Sequence, residues 1–210
     1  MHKKAIIFDL DNTIYSVRSI GSELFAPLFE LIIQDGSHAE NMEKIKDEIM
    51  RRPFQLVASD YNFSDELTQK GVELLKDTTY RGKIEPFSDY EFARNLPVDK
   101  FLVTTGFLKL QQSKVDGMRI GQDFKEIYIV DPLTSDKTKK EVFADIIKRH
   151  SYSKSELLVV GDDLHSEIKA AQELGIDTVL YDKFHLHDNN TSLHKISDFR
   201  QLESFLFSIP

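Results

Sequence analysis

Two aspartates, Asp9 and Asp11, follow directly on an apolar run in this 210-residue sequence. Aspartates are poor strand residues and neighbouring carboxylates repel each other, so this placement favours a chemical role. Other residues that could share in that chemistry come after later apolar runs: Thr104, Thr105, Gly106, Lys137, Gly161, Asp162 and Asp163. The set combines carboxylates with hydroxyls, backbone N–H groups and an ammonium group.

Residues of these types predict a site for a divalent cation and a phosphate group. Three or more carboxylates that converge on one point repel strongly, and a hard cation such as Mg²⁺ relieves that repulsion through oxygen ligands. A cation, an ammonium group and N–H or O–H donors together bind a phosphate. The prediction holds only if the fold brings these separate stretches to one place.

The apolar runs predict the strands that would do so. They are short and lack alternation, which is typical of parallel strands buried on both faces. We place them at residues 4–9, 101–103, 127–130, 157–160 and 178–181. Amphipathic helical patterns at 139–148 and 166–174 alternate with them. This predicts an α/β fold with a doubly wound, mainly parallel sheet, whose ligands bind at the carboxyl ends of the strands.

The stretch between the first two predicted strands has helical spacing instead. Ile20, Leu24, Leu28 and Leu31 are near helical spacing, and Pro27 predicts a kink among them. Two more helices are predicted near 39–51 and 64–76. We therefore expect a core of residues 1–15 plus 86–210 and a small all-helical domain of residues 16–85.

These motifs, in this order, resemble the haloacid dehalogenase superfamily of phosphohydrolases. Residues 6–14 match its first motif, and Thr104 matches the strand-end hydroxyl of the second. Lys137, six residues before Phe143, matches the third. Gly161-Asp162-Asp163 matches the fourth, with Glu167 as a further candidate acid. Thr105 departs from the Asn that many relatives carry.

The resemblance implies a Mg²⁺-dependent phosphohydrolase that acts on a small phosphorylated metabolite through an aspartyl-phosphate. Asp9 would be the nucleophile and a Mg²⁺ ligand. Asp11 would be the general acid and then the general base, and its backbone carbonyl would be a second ligand. Asp162 would be the third, with Asp163 or Glu167 in the outer shell.

The resemblance also implies how the phosphate is bound and covered. Thr104, with Thr105, Gly106 and nearby amides, would hold the phosphoryl oxygens, and Lys137 would neutralise charge between Asp9 and the phosphate. The helical domain would be a mobile cap that closes over the site. Its polar candidates for facing the site are Ser16, Arg18, Arg51 and Arg52.

Other activities stay open. A phosphomutase uses the same aspartyl-phosphate, and a catalytically weak phosphate- or partner-binding protein could keep the same fold. Dehalogenation is not expected, because Asp11 and Asp162 both favour phosphate chemistry. The wording of the first motif is also similar to that of pyrimidine-nucleotidase-like members.

Composition excludes several other classes of function. The formal charge is −8 and the chain has no cysteine, which argues against nucleic acid or anionic membrane as a partner and excludes thiolate chemistry. The N-terminal apolar run is too short for a signal peptide or a membrane span, so we expect a cytoplasmic protein. His185, His187 and His194 are expected to be loop residues and not metal ligands. The oligomeric state is left open.

Overall fold

The computed structural model describes residues 2–135, 137–187 and 193–206. Six strands form the sheet of this part of the chain: β1 (Ala5–Phe8), β2 (Asp99–Thr105), β3 (Glu126–Val130), β4 (Leu157–Gly161), β5 (Asp177–Tyr181) and β6 (Lys195–Ile196). Their order is β3-β2-β1-β4-β5-β6, and all neighbours are parallel. The predicted α/β fold with a doubly wound parallel sheet is confirmed.

The described residues form ten α-helices. They are α1 (Arg18–Leu24), α2 (Ala26–Asp35), α3 (Met42–Ile49), α4 (Phe54–Asp60), α5 (Asp65–Asp77), α6 (Tyr90–Arg94), α7 (Leu108–Met118), α8 (Lys139–His150), α9 (Lys169–Leu174) and α10 (Glu203–Leu206). A π-helical turn over Leu164–Ile168 leads directly into α9. Within the described part, no helix is long and apolar enough to cross a membrane.

Strand β1 is buried on both faces, as its unbroken apolar run predicts. Ile6 and Phe8 belong to one apolar cluster, while Ala5 and Ile7 belong to a second one on the opposite face. Helix α8 covers the second face, and α7 and α10 help to cover the first. Apolar packing on both faces fixes the face to which each side chain of β1 points. It therefore also fixes the direction in which the chain leaves the strand.

The register of the central strands brings their carboxyl ends together. Phe8 lies opposite Leu102 of β2 on one side and Val160 of β4 on the other. The chain builds outward from β1 through β2 and β3, and then crosses back to β4. The edge beyond β1 and β4 is therefore the point where the strand order reverses, which is where open α/β sheets bind ligands.

Helices α1–α5 form an insert after β1, α6 then precedes β2, and residues 18–77 contain no strand. Pro27 stands at the start of α2, after a break at Phe25, as expected from the predicted kink. Helix α4, which follows Pro53, was not predicted. The apolar residues of this insert join the same cluster as Phe8. The division into a core and a separate cap, with boundaries at 15 and 86, stays a prediction.

Two local signals outside the insert correspond to observed ends. Thr138 and Glu141 form a capping box at the start of α8, each bonding the backbone of the other. Gly175 ends α9 in the left-handed conformation with φ 73°, as its predicted position after the helix requires. Strand β6 is two residues long and carries no signal that distinguishes it from loop.

Packing inside the insert gives a stability prediction for Gly71 of α5. A Cβ atom there would lie 2.3 Å from the Phe54 ring and 3.2 Å from Leu28. We expect Gly71→Ala to lower the free energy of unfolding by about 1–3 kcal/mol, although alanine favours helix. Gly117→Ala in α7 is the control, because its Cβ would meet Ile84 at an ordinary 3.5 Å. Urea unfolding measures both, and equal effects would contradict the packing described here.

Candidate active site

Three buried or half-buried carboxylates meet beyond the ends of β1 and β4. Asp9 follows β1 directly, and Asp162 follows β4 directly. Glu167 comes from the π-helical turn. One carboxylate oxygen from each of the three lies within 4.8 Å of the others. The sequence predicted that Asp9 and Asp162 would come together, and the structure places them together.

The lysine at this cluster is Lys139, which corrects the expected Lys137. Lys139 Nζ lies 2.5 Å from Asp9 Oδ1 and 2.7 Å from Glu167 Oε2, and all three side chains are buried. Lys137 is 58% exposed and donates to Asp145 on the surface. Lys139 is the first residue of α8, whose amino end faces the strand edge, whereas Lys137 precedes the helix cap and points outward.

Glu167, rather than Asp163, completes the acidic cluster. Glu167 Oε1 accepts from the backbone N–H of Asp163 at 2.8 Å, while the Asp163 carboxylate accepts from the N–H of His165 and caps the π-helical turn. A Cβ atom on Gly161 would lie 2.1 Å from Glu167 Oε1. Glycine at the end of β4 therefore gives Glu167 the space to reach Asp162, and π-helical turns are frequent at functional sites.

The cluster holds more negative than positive charge. Burial raises the pKa of Asp9 to about 7, an effect that Lys139 opposes and Glu167 adds to. Burial, followed by the charges of Glu167 and Asp9, raises the pKa of Asp162 well above its ordinary value. Burial alone would lower the pKa of Lys139, but Asp9 and Glu167 outweigh it and raise that pKa. A second positive charge would relieve the repulsion among these carboxylates, and carboxylate oxygens are the ligands that a hard divalent cation prefers.

Thr13 supports the cluster from the first motif. Its side chain is fully buried, and its hydroxyl donates to Asp162 Oδ1 at 3.2 Å. Such hydrogen bonds orient a carboxylate that would otherwise rotate, as outer-shell partners do in metal sites. The threonine that follows Asp11 by two residues thus ties β1 to the end of β4.

Asp11 lies in a different environment from Asp9. Lys114 Nζ is 2.8 Å from its Oδ1 and 3.0 Å from its Oδ2. Tyr15 donates to Oδ1 at 2.5 Å, and Gln111 donates to Oδ2 at 2.9 Å. Burial would raise the pKa of Asp11, but Lys114 and these hydrogen bonds hold it below its ordinary value. Two carboxylates separated by a single residue therefore have opposite pKa shifts, which is the pattern of paired acid–base sites.

The end of β2 provides one buried hydroxyl at this edge. Thr104 is 1% exposed, and its Oγ1 accepts from Gln111 Nε2 at 2.6 Å. Thr105 follows it, and because strand residues alternate its side chain points to the opposite face. The N–H of Gly106 donates to Val130 O at 3.1 Å, which corrects the expectation that this amide is free for phosphate.

Sequence reasoning missed Tyr15, Gln111, Lys114 and Lys139. Gln111 and Lys114 lie three residues apart on α7 and share its buried face with Leu110 and Val115. Polar residues on the apolar face of a helix were the signal that could have found them. Lys139 lies two residues after Lys137 in the sequence, and the spacing to Phe143 favoured Lys137.

Four of the remaining polar candidates have partners other than the carboxylate groups of the acidic cluster. His187 Nε2 lies 3.0 Å from the backbone carbonyl of Asp162, and His194 packs against Phe205. Arg18 and Arg52 form ion pairs with acidic residues of the insert. A link from the insert to the first motif is made by Asn12, which donates to the carbonyl of the residue after α3. Neither arginine is bonded to the acidic cluster.

Comparison with known proteins shows the family of the chain. Residues 6–181 match the family model for haloacid dehalogenase-like hydrolases. A glyceraldehyde 3-phosphate phosphatase from Methanopyrus kandleri is 22% identical over 84% of this chain and 82% of its own length. The putative HAD-hydrolase YfnB from Bacillus subtilis is 23% identical over 83% of this chain and 82% of its own.

Solved structures share the fold. The magnesium-bound structure of YfnB matches with a TM-score of 0.65 at 20% identity, over 100% of both chains. A HAD phosphatase from Thermococcus onnurineus matches with a TM-score of 0.63 at 19% identity, over 97% of each chain. The L-2-haloacid dehalogenase of Xanthobacter autotrophicus matches with a TM-score of 0.62 at 11% identity, over 99% and 100%. The same fold therefore carries both phosphatases and dehalogenases.

The two candidate lysines give a direct test of the site geometry. Lys139→Met leaves Asp9 and Glu167 buried without their cation, so we expect a loss of about 3–5 kcal/mol in the free energy of unfolding. Lys137→Met removes an exposed ion pair and is the matched control, with a loss of at most about 1 kcal/mol. Urea unfolding at pH 7 without divalent cations measures both. Equal stability of the two variants would contradict the assignment of Lys139.

Proposed function

The chain belongs to the haloacid dehalogenase-like hydrolase family, and from this premise we propose that it is a Mg²⁺-dependent phosphohydrolase of small phosphorylated metabolites. One observation carries the proposal. Asp9 lies with Asp162, Glu167 and a buried lysine, while Asp11, two residues on, is held apart by its own set of donors. A nucleophile at a cation site and a separate acid–base group are the two parts that an aspartyl-phosphate mechanism needs.

The acidic cluster is the proposed Mg²⁺ site. Asp9, Asp162 and Glu167 supply carboxylates to it, and the backbone carbonyl of Asp11 is a further proposed ligand. Bound Mg²⁺ would neutralise the negative charge that the phosphate and the carboxylates bring together. The magnesium-bound structure of YfnB supports this choice of cation. Lys139 supplies the other positive charge.

In the proposed first step, a carboxylate oxygen of Asp9 forms a bond to phosphorus and the bond to the leaving oxygen breaks. Asp11 gives its proton to that oxygen. Lys139 opposes the rise in the pKa of Asp9, which favours the ionised nucleophile. Thr104 donates to a phosphoryl oxygen.

In the second step, water attacks phosphorus, Asp11 takes the proton of that water, and the bond between Asp9 and phosphorus breaks. The donors around Asp11 hold it as a carboxylate, the form that this step requires. The acid form used in the first step requires that Asp11 give up at least one of those donors when substrate is bound. The proposed mechanism therefore requires two hydrogen-bonding arrangements of Asp11, one for its acid form and one for its carboxylate form.

Dehalogenation is the competing activity on this fold, because the Xanthobacter autotrophicus neighbour carries it. A displacement at carbon needs a carboxylate nucleophile but neither a metal site nor a proton donor to the leaving group. Asp11 with its three donors and the additional carboxylates Asp162 and Glu167 would have no purpose in it. A panel of phosphorylated metabolites, beginning with triose phosphates, would identify the substrate, since one relative is named for glyceraldehyde 3-phosphate.

Binding of Mg²⁺ gives a test that does not depend on turnover. We expect Mg²⁺ to stabilise the protein by about 2.7 kcal/mol at a hundred times its Kd. Asp162→Asn removes a proposed ligand and should lose most of that increment, while Asp163→Asn, which keeps all three carboxylates of the cluster, should keep most of it. Thermal unfolding with and without Mg²⁺ measures the increment for each protein. Full turnover in excess chelator would refute the role given to the metal.

Substitutions of Asp9 and Asp11 should have different effects on the two steps of the reaction. Asp9→Asn removes the nucleophile, so no phosphoenzyme should form. Asp11→Asn keeps the nucleophile, and its loss should be about 10²–10⁴-fold with an alkyl phosphate and much smaller with p-nitrophenyl phosphate, whose leaving group needs no proton. The Asp11→Asn protein should also release a burst of p-nitrophenol and hold a hydroxylamine-sensitive phosphoryl group. Equal losses with both substrates and no trapped phosphoenzyme would contradict these roles.

A further inference from the structure

We propose that Gln111 and Lys114 of α7 are positioning residues that fix the direction of the hydrogen bonds at the phosphate site. They hold the Asp11 carboxylate in place and leave the hydroxyl hydrogen of Thr104 directed away from Gln111, free to donate to a phosphoryl oxygen. The inference rests on the proposed function, since it assigns a task to residues that touch Asp11 and Thr104.

The polarity of the network follows from what each group can do. Lys114 can only donate, and both oxygens of Asp11 accept from it. Gln111 Oε1 accepts from Lys114 at 2.6 Å, so its Nε2 must face the other way. That Nε2 has two hydrogens and two partners, Asp11 Oδ2 at 2.9 Å and Thr104 Oγ1 at 2.6 Å. A flipped amide would place a donor against Lys114 and an acceptor against Asp11, so only one orientation is possible.

The consequence falls on Thr104. Its Oγ1 is an acceptor for Gln111, so its single hydroxyl hydrogen must point elsewhere. No acceptor for that hydrogen lies among the described residues, and Thr104 is at the end of the strand next to β1. A buried O–H without a protein acceptor costs free energy unless a ligand accepts from it. A phosphoryl oxygen held by Asp9 and the metal site would be that acceptor.

The chain accommodates this network at some cost. Gln111 and Lys114 are 1% and 3% exposed, and burying an amide and an ammonium group is unfavourable unless every polar atom is paired. Gly106 has φ 154°, and a Cβ there would lie 3.0 Å from Gln111 Cγ and Cδ. The glycine thus lets Gln111 lie directly against the end of β2. Two apolar side chains at these positions would pack in the same cluster without needing hydrogen-bond partners. The presence of a glutamine and a lysine there is therefore better explained by their contacts with the site.

The experiment uses two substitutions on α7 with matched controls on the exposed face of the same helix. Gln111→Glu keeps the length of the side chain but replaces the amide donor by a carboxylate, which can only accept. The hydroxyl of Thr104 would then donate to this carboxylate instead of to a phosphoryl oxygen. Gln112→Glu is its control, since Gln112 is exposed and bonds only within the helix. Lys114→Met removes the buried ammonium group. Its control is Lys109→Met, which removes only an exposed ion pair with Asp77.

Phosphate binding tests the first half of the proposal. We expect Gln111→Glu to weaken binding of inorganic phosphate, measured by calorimetry with Mg²⁺, and to lower kcat/KM by about 10²-fold or more, the usual loss for one oxyanion donor. Gln111→Met, which adds no charge, repeats the measurement in case the carboxylate disturbs folding. Phosphate affinity within about threefold of the Gln112→Glu control, in folded protein, would overturn the proposal.

Leaving-group dependence tests the second half. Lys114→Met acts through Asp11, so we expect a loss of kcat/KM at least about tenfold greater with an alkyl phosphate than with p-nitrophenyl phosphate. A residue that only stabilised the fold would lower both equally, and that result would overturn the proposal. If the unaltered protein shows no Mg²⁺-dependent hydrolysis, the proposed function fails, while phosphate calorimetry on the Gln111 variants still decides the orientation of Thr104.

Discussion

The buried contact of Lys139 with Asp9 and Glu167 is the interaction on which the rest of the site depends. Two carboxylates and an ammonium group lie out of water at the carboxyl end of a sheet, where each would be costly alone. The contact joins β1, α8 and the π-helical turn after β4. It therefore requires that α8 begin at the strand edge and that the turn direct Glu167 back toward the sheet. The capping box of α8 and the glycine that ends β4 are the local features that satisfy these requirements.

The same strand end separates two aspartates into two chemical environments. Asp9 faces the side of the sheet covered by α8, where carboxylates dominate, and Asp11 faces α7, where Lys114 and hydrogen-bond donors dominate. A charge imbalance on one side favours a cation, and an ion pair on the other favours a carboxylate. The spacing of one residue matters because the chain leaves β1 between them and can direct each to a different helix.

Helix α7 links the site to the helical insert. One face carries Gln111 and Lys114 toward Asp11, while Ser113 accepts from the backbone N–H of Tyr80 at the end of the insert. The insert and the sheet also share one apolar cluster. The insert is thus connected by a hydrogen bond and by apolar packing to the helix that holds Asp11.

The sequence by itself determined the sheet and the residues at its edge. Short apolar runs in alternation with amphipathic helices predicted a parallel sheet. Parallel strands have all their carboxyl ends at one edge, so Asp9, Thr104 and Asp162 were expected at that edge. Pro27 acts through its restricted backbone and Gly175 through its freedom to adopt a positive φ, and neither property needs tertiary context. These features are local, or follow from topology alone.

Only the tertiary structure decided which neighbouring polar residues reach the site. The choice of Lys139 over Lys137 depends on where the first turn of α8 begins relative to the sheet, and two residues of difference turn a side chain from the site to the surface. The choice of Glu167 depends on the π-helical turn, and the engagement of the Gly106 amide depends on the pairing of β2 with β3. The periodicity of α7 places Gln111 and Lys114 on its apolar face, but only the docked helix shows that they meet Asp11 and Thr104.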